Sequence, residues 1–245
     1  MVDEINGEGV DVNVVQKGEG KTGMSVVLVN SEGARSIVTF RGESGKIEGK
    51  RIDREMVAKA DWLQISSLGG ETELLADLIN FAPTRGIRVG INPGGKEIEV
   101  AEELKGLLKK VEMLNLNKME FCKFLNVDGE NVEELIKKMD GLGVRITIMT
   151  DGKKGAGLLR NSRWIWMNTF PNKSVDDTGA GDAFVSGVVK GILDNLNDED
   201  ILKMGLANGS SVVTKLGAKD GLLHKEEMER WMKRKLKFTE EFVVK

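Results

Sequence analysis

The stretch "NVEELIKKMDGLGVRITIMTDGKKG", residues 131–155, carries a capped helix, an apolar strand and a glycine-rich loop in direct succession. Asn131 precedes Glu134 by three residues, the spacing of an N-cap and its reciprocal acid. Residues 144–150 then offer almost no polar face. A strand that is apolar on both sides is stable only in a sheet covered on both faces, and this favours parallel pairing. The loop 150–155 would then lie at the carboxyl end of a strand, where open α/β sheets hold their ligands.

The same rhythm extends in both directions. Upstream, "DWLQIS", "IRVGINP" and "EMLNLN" read as strands. "ETELLADLINFAPTRG", "VAEELKGLLKKV" and "KMEFCKFL" read as the helices between them. Downstream, "GAGLLRNSRWIWMN" has the form of an antiparallel hairpin, and helices starting near Gly179, Asp198 and Lys225 finish the chain. The charged run "KRKLKF" reads as a solvated helix face. The first sixty residues are β in character: residues 24–30 and 35–40 are β-rich runs joined by "SEGA", a hairpin signal. The expectation is an α/β three-layer sandwich with a mostly parallel sheet. It is a single domain over 1–245, with a small β lid at 10–45 and an α/β core at 60–245.

Composition narrows the function. Across 245 residues the formal net charge is -3, which gives no electrostatic reason to expect nucleic acid or an anionic membrane as partner. One cysteine, Cys122, excludes an internal disulfide framework and fits a reducing cytoplasm. No apolar run approaches membrane-spanning length. With one histidine and no tyrosine, any chemistry rests mainly on carboxylates, amides, lysines and metal.

Three local patterns mislead. "GEGKTG" (18–23) fits the dinucleotide fingerprint, but a strand follows it where a helix is required. It also contains G-K-T, yet the first glycine of a phosphate-binding P-loop would fall on Val15. "NVDGENVEEL" hints at a calcium loop. Setting Gly129 at its sharp turn, however, puts Phe124 and Leu135 on ligand positions. His224 and Cys122 stand alone, and a lone group of either kind is more often packing or surface.

"DDTGAGDAF" (176–184) is different. Gly179, Ala180 and Gly181 leave successive amides at a helix start with no bulky side chain in the way. Such a terminus carries about half a positive charge and free donors, which makes it an anion site. Asp182 adds a carboxylate beside it. That suits a site where a hydroxyl loses its proton while attacking phosphorus. A glycine turn with Asp182 as a favourable first-turn acid accounts for the stretch equally well. "TDGKKG" (150–155) and "NKME" (117–120) each follow a strand and so share one rim of the sheet. Asn117 and Glu120 lie three apart, on one face of a helical turn, where an amide and a carboxylate suit a hydrated magnesium. Each is otherwise a strand-end loop or a helix cap.

Taken in order, these segments resemble the ribokinase-like (PfkB) carbohydrate kinase family. "VDDTGAGDAF" is similar to its D-T-x-G-A-G-D signature, "NKME" to its N-x-x-E motif and "TDGKKG" to its T-x-G-x-x-G loop. "LANGSSVVTKLGA" (206–218) resembles the segment beside the adenine and a monovalent cation. The resemblance implies Asp182 as catalytic base and an anion hole of Gly179, Ala180 and Gly181. It implies an ATP site with Thr150, Gly152, Gly155, Asn208 and Gly181. Asn117 and Glu120 would organise Mg2+ through water, and Asp176, Thr178 and Gly217 would form a K+-type site. Position 177 is Asp where the family usually has Thr. The family's opening strand, substrate-binding Asp and G-G-x-x-x-N loop have no counterpart in the sequence, so a chain shortened at its N-terminus is expected. The exposed sheet edge would then call for a partner chain or a second protomer, and a homodimer accords with family lids that pair. The implied activity is ATP-dependent phosphorylation of a sugar or nucleoside hydroxyl. The competing readings are a non-catalytic or split-kinase nucleotide-binding remnant and an unrelated sugar-phosphate binder.

Overall fold

The structure, a computed structural model, describes residues 2–29, 35–45 and 47–243. After a short helix α1 (Val2–Gly7), β1 (Met24–Val29) and β2 (Arg35–Phe40) pair antiparallel as a separate two-stranded sheet. The "SEGA" turn between them lies outside the described residues. Met24 faces Phe40 and Val26 faces Val38 across this pair, leaving an exposed apolar face that Leu28 extends.

The main body begins with α2 (Arg54–Val57), β3 (Trp62–Ile65), α3 (Thr72–Thr84) and β4 (Arg88–Ile91). It continues with α4 (Gly95–Glu99), α5 (Ala101–Lys105), β5 (Met113–Asn117), α6 (Lys118–Leu125), α7 (Val132–Asp140) and β6 (Ile146–Thr150). A hairpin of β7 (Ala156–Arg160) and β8 (Arg163–Met167) follows, then α8 (Ala180–Leu193), α9 (Asp198–Val212), α10 (Lys225–Met232) and β9 (Phe238–Val243). The seven strands form one sheet in sequence order, β3 to β9. Pairing is parallel from β3 to β6 and antiparallel from β6 to β9, so β8 points the same way as the first four. The architecture is an α/β sandwich.

Strand alternation feeds two cores. Leu114, Leu116, Met149, Leu159 and Trp164 pack on one face with α3, α6 and α7. Met113, Ile148, Leu158, Ile165 and Met167 pack on the other with α8 and α9. This two-sided burial is why residues 144–150 read as apolar throughout. The caps are local and legible: Asn131 accepts from the Glu134 amide at 3.1 Å. Phe124 and Leu135 are core residues, which removes the calcium-loop reading.

Two expectations are corrected. "VAEELKGLLKKV" is not one helix. Gly106 ends α5, and a 3-10 turn over Leu108–Lys110 replaces the rest, held by Leu107 N–H to Leu104 O at 2.9 Å and Lys110 N–H to Leu107 O at 3.0 Å. Glycine's low helix propensity in mid-segment explains the break. "KRKLKF" is not a helix face either. α10 stops at Met232, and the chain turns into β9 against β8. Arg234 of this run stacks 4.0 Å from the centre of the Trp231 ring and 5.0 Å from that of Phe170.

The loops after β3 and β4 are joined by a fully buried carboxylate, Glu97. It accepts from Gly70 N–H at 2.8 Å, Leu68 N–H at 2.9 Å, Gly94 N–H at 3.0 Å and the Ser67 hydroxyl at 3.2 Å. Burial alone pushes its pKa up; the donors more than offset that and hold it below the usual glutamate value. A depressed pKa stabilises the fold above the unfolded value, and that stability is lost as pH falls through the folded one. Glu97→Gln is therefore expected to cost about 3 kcal/mol at neutral pH. In chemical denaturation the gap to wild type should narrow below about pH 4.5. A gap independent of pH would contradict this role.

Candidate active site

The loop after β6 and the start of α8 face each other across a cleft of about 500 Å³. Thr150 ends β6 beside it. A 3-10 turn over Gly152–Lys154 brings the loop back, with Asp151 N–H donating to Gly155 O at 2.9 Å. Gly155 has φ +132°, and a Cβ there would lie 2.0 Å from the Met167 carbonyl oxygen, so only glycine lets this loop seat against β8. Lys154 is paired with Asp151 at 3.1 Å. Lys153 lines the cleft and has no ion-pair partner among the described residues.

Opposite, Gly179 caps α8 with φ +80°. A side chain there would meet the Ala218 carbonyl oxygen at 2.4 Å. The helix ladder starts with Ala183 N–H to Gly179 O at 2.9 Å, and Ala180 N–H reaches Asp177 O at 3.4 Å. Among the described residues the amides of Gly181 and Asp182 meet no backbone acceptor. A Cβ on Gly181 would find no atom within 4 Å, and the same holds at Gly152. The start of α8 thus leaves two unpaired amide donors next to a bare α-carbon on the cleft wall, an arrangement suited to an anion. Asp182 is exposed in the first turn of α8, beside Gly181 rather than within the cleft lining.

The loop leading into Gly179 is clamped by Asp176. Its carboxylate accepts from the Thr178 amide at 3.0 Å, the Thr178 hydroxyl at 2.7 Å and the Gly217 amide at 3.0 Å. Val175 and Asp176 both donate to Val213 O, at 2.7 and 3.2 Å. Asp176, Thr178 and Gly217 are therefore brought together, as a knot closed by protein donors. Asp177, the residue that departs from the family's Thr, is exposed at the cleft and bonded to Ser174.

Asn117 lies beside Thr150 in the β5–β6 ladder, so both strand ends share one rim. Asn117 accepts from the Glu120 amide at 2.8 Å, and Asn117 N–H donates to Glu120 Oε2 at 2.8 Å. This capping box explains the N-x-x-E spacing structurally and leaves Glu120 Oε1 for other use. Among the described residues no group of three or more His, Cys, Asp or Glu side chains is placed to hold a metal alone. A hydrated magnesium held largely by phosphate fits such a rim.

Asn208 does not line the cleft. It is buried on α9, donates to Ala183 O at 2.8 Å and the Ser186 hydroxyl at 3.0 Å, and accepts from Leu223 N–H at 3.0 Å. Its amide ties α8, α9 and the 221–224 turn together. The α9 residues on the cleft are Leu206, Gly209 and Ser210, followed by Val213 at the helix's C-cap. Sequence reading overlooked Ser210 and Lys153. The spacing 206, 209, 210, 213 of one helical face was the signal available. Burial pushes the Cys122 thiol up, in keeping with a packed, unreactive cysteine.

Two unpaired amides at a helix start, at the carboxyl edge of a covered α/β sheet and with a carboxylate in the same turn, suit the handling of a phosphoryl group. The chain belongs to the pfkB family of carbohydrate kinases, whose model matches residues 1–225. It is 26% identical over 220 residues to an uncharacterized sugar kinase of Archaeoglobus fulgidus, covering 88% of this chain and 86% of that one. It is also 26% identical over 212 residues to a cytidine kinase of Thermococcus kodakarensis, covering 85% and 74%. The fold superposes on the ribokinase of Arabidopsis thaliana complexed with ribose and ATP, with a TM-score of 0.73 at 22% identity, covering 89% and 71%.

Proposed function

We propose that the protein transfers the γ-phosphoryl group of ATP to a hydroxyl of a small sugar or nucleoside. The observation that carries this reading is the pair of unpaired amides at Gly181, on the cleft wall, and Asp182 beside it, with the Asp182 carboxylate exposed in the same turn. Asp182 takes the proton of the attacking hydroxyl as its oxygen bonds to the γ-phosphorus. The bond from that phosphorus to the bridging oxygen breaks, and ADP leaves with the electron pair. The amides of the α8 start hold the equatorial oxygens, whose charge they stabilise without reorganising. Lys153 supplies a cation at the opposite wall. The hairpin of β1 and β2 serves as the lid in this reading.

Asn117 and Glu120 would hold magnesium through water, Glu120 through the oxygen its capping box leaves over. When bound, the ion neutralises phosphate charge. The Asp176 knot acts here as a clamp on the loop, since its oxygens already accept from three protein donors.

The relatives divide between a sugar kinase and a cytidine kinase, so the acceptor panel must span both classes. Incubation with γ-labelled ATP and magnesium over sugars and nucleosides is expected to label at least one acceptor. ATP binding with no transfer to any of them would favour a nucleotide-binding remnant instead.

A further inference from the structure

We infer that the Asp177 carboxylate makes the cleft discriminate between nucleotide carrying magnesium and free nucleotide, by repelling phosphate charge that no cation offsets. The inference rests on the nucleotide reading above. Among the described residues, the charged side chains lining the cleft are Lys153 and Asp177. Lys153 and the α8 amides draw an anion, whereas Asp177 opposes one from the α8 side. Its backbone carbonyl accepts from Ala180 N–H at 3.4 Å, so residue 177 is tied to the turn that opens α8. Its carboxylate accepts from the Ser174 hydroxyl, and Ser174 lines the cleft as well, which holds the negative charge at the wall. The neighbouring acids are placed otherwise. Asp176 is engaged by Thr178 and Gly217, Asp151 is paired with Lys154 at 3.1 Å, and Asp182 is outside the lining.

A carboxylate beside phosphate oxygens works against binding in proportion to the charge it meets. A divalent cation on the phosphates cancels part of that charge, so the repulsion falls when the ion is present. The rim assigned to the ion meets this cleft at Thr150, the ladder neighbour of Asn117, so ion and carboxylate act on one phosphate chain. Holding the 174–177 loop needs only an oxygen that accepts from Ser174, which an asparagine also offers. The charge is what that role leaves unexplained.

Asp177→Asn removes the charge and keeps both the shape and an acceptor for Ser174. Calorimetric titration with ATP is run once with EDTA and once with saturating magnesium, at an ionic strength of about 0.15 M, where contacts shorter than about 8 Å escape most screening. With EDTA the variant should bind ATP about fivefold tighter than wild type, and with magnesium the two should differ by less than about twofold. Their thermal midpoints without nucleotide should agree. Equal ATP affinities with EDTA would overturn the inference, and a lowered midpoint beside them would reduce Asp177 to a loop-holding residue. An equal gain in both conditions would overturn it too, by showing repulsion without discrimination. Wild type that binds ATP in neither condition would overturn the nucleotide reading itself.

Discussion

Asp182→Asn is expected to lower phosphoryl transfer about a thousandfold while ATP binds as well as before or better. Asparagine keeps the size of the side chain and leaves the residue 182 amide in place, so the anion donors at the start of α8 are preserved. It lacks a basic oxygen for the hydroxyl proton, and loss of the general base is worth about two to four powers of ten. It also removes a negative charge beside the phosphates, so affinity has no reason to fall. Steady-state turnover against the best acceptor, paired with calorimetric ATP affinity, separates these effects. A variant turning over at the wild-type rate would show that residue 182 does not take the proton.

Gly179→Ala is expected to lower kcat/KM about a hundredfold and to destabilise the fold by about 2 kcal/mol. The residue has φ +80°, and a methyl group would sit 2.4 Å from the Ala218 carbonyl oxygen and 2.8 Å from its Cα. Either the 217–218 turn or the start of α8 must move, and the anion donors move with it. Gly181→Ala is the informative control. Its methyl meets no neighbouring part of the chain within 4 Å, so it should fold like wild type while occupying the space that the proposed mechanism gives to phosphate. If both variants bound ATP normally, the helix entrance would not be the phosphate site.

Most of the fold was legible because its signals are local. Asn117 and Asn131 cap their helices through partners three residues away, and the apolar run ending at Thr150 reports two-sided burial directly. β9 was not legible: Phe238–Val243 is short and charged, and it becomes a strand only by pairing with β8, some 70 residues earlier in the chain. The site divides in the same way. Gly179 before α8 reveals itself through backbone geometry that few other residues tolerate. The structural ties of Asn208 were not legible, because its partners Ala183, Ser186 and Leu223 are distant in sequence. Ser210 escaped notice for the converse reason, since its lack of a partner among the described residues is visible only in three dimensions. N-x-x-E carried two readings at once, and the cap accounts for its spacing without excluding a role for the remaining oxygen.

The most direct measurement is a crystal structure with magnesium and a non-hydrolysable ATP analogue. The γ-phosphate should accept hydrogen bonds from the Gly181 and Asp182 amides, with the base against Phe170 and Leu206 and the Asp182 carboxylate open toward the acceptor side. Phosphates bound away from residues 179–182 would contradict the account.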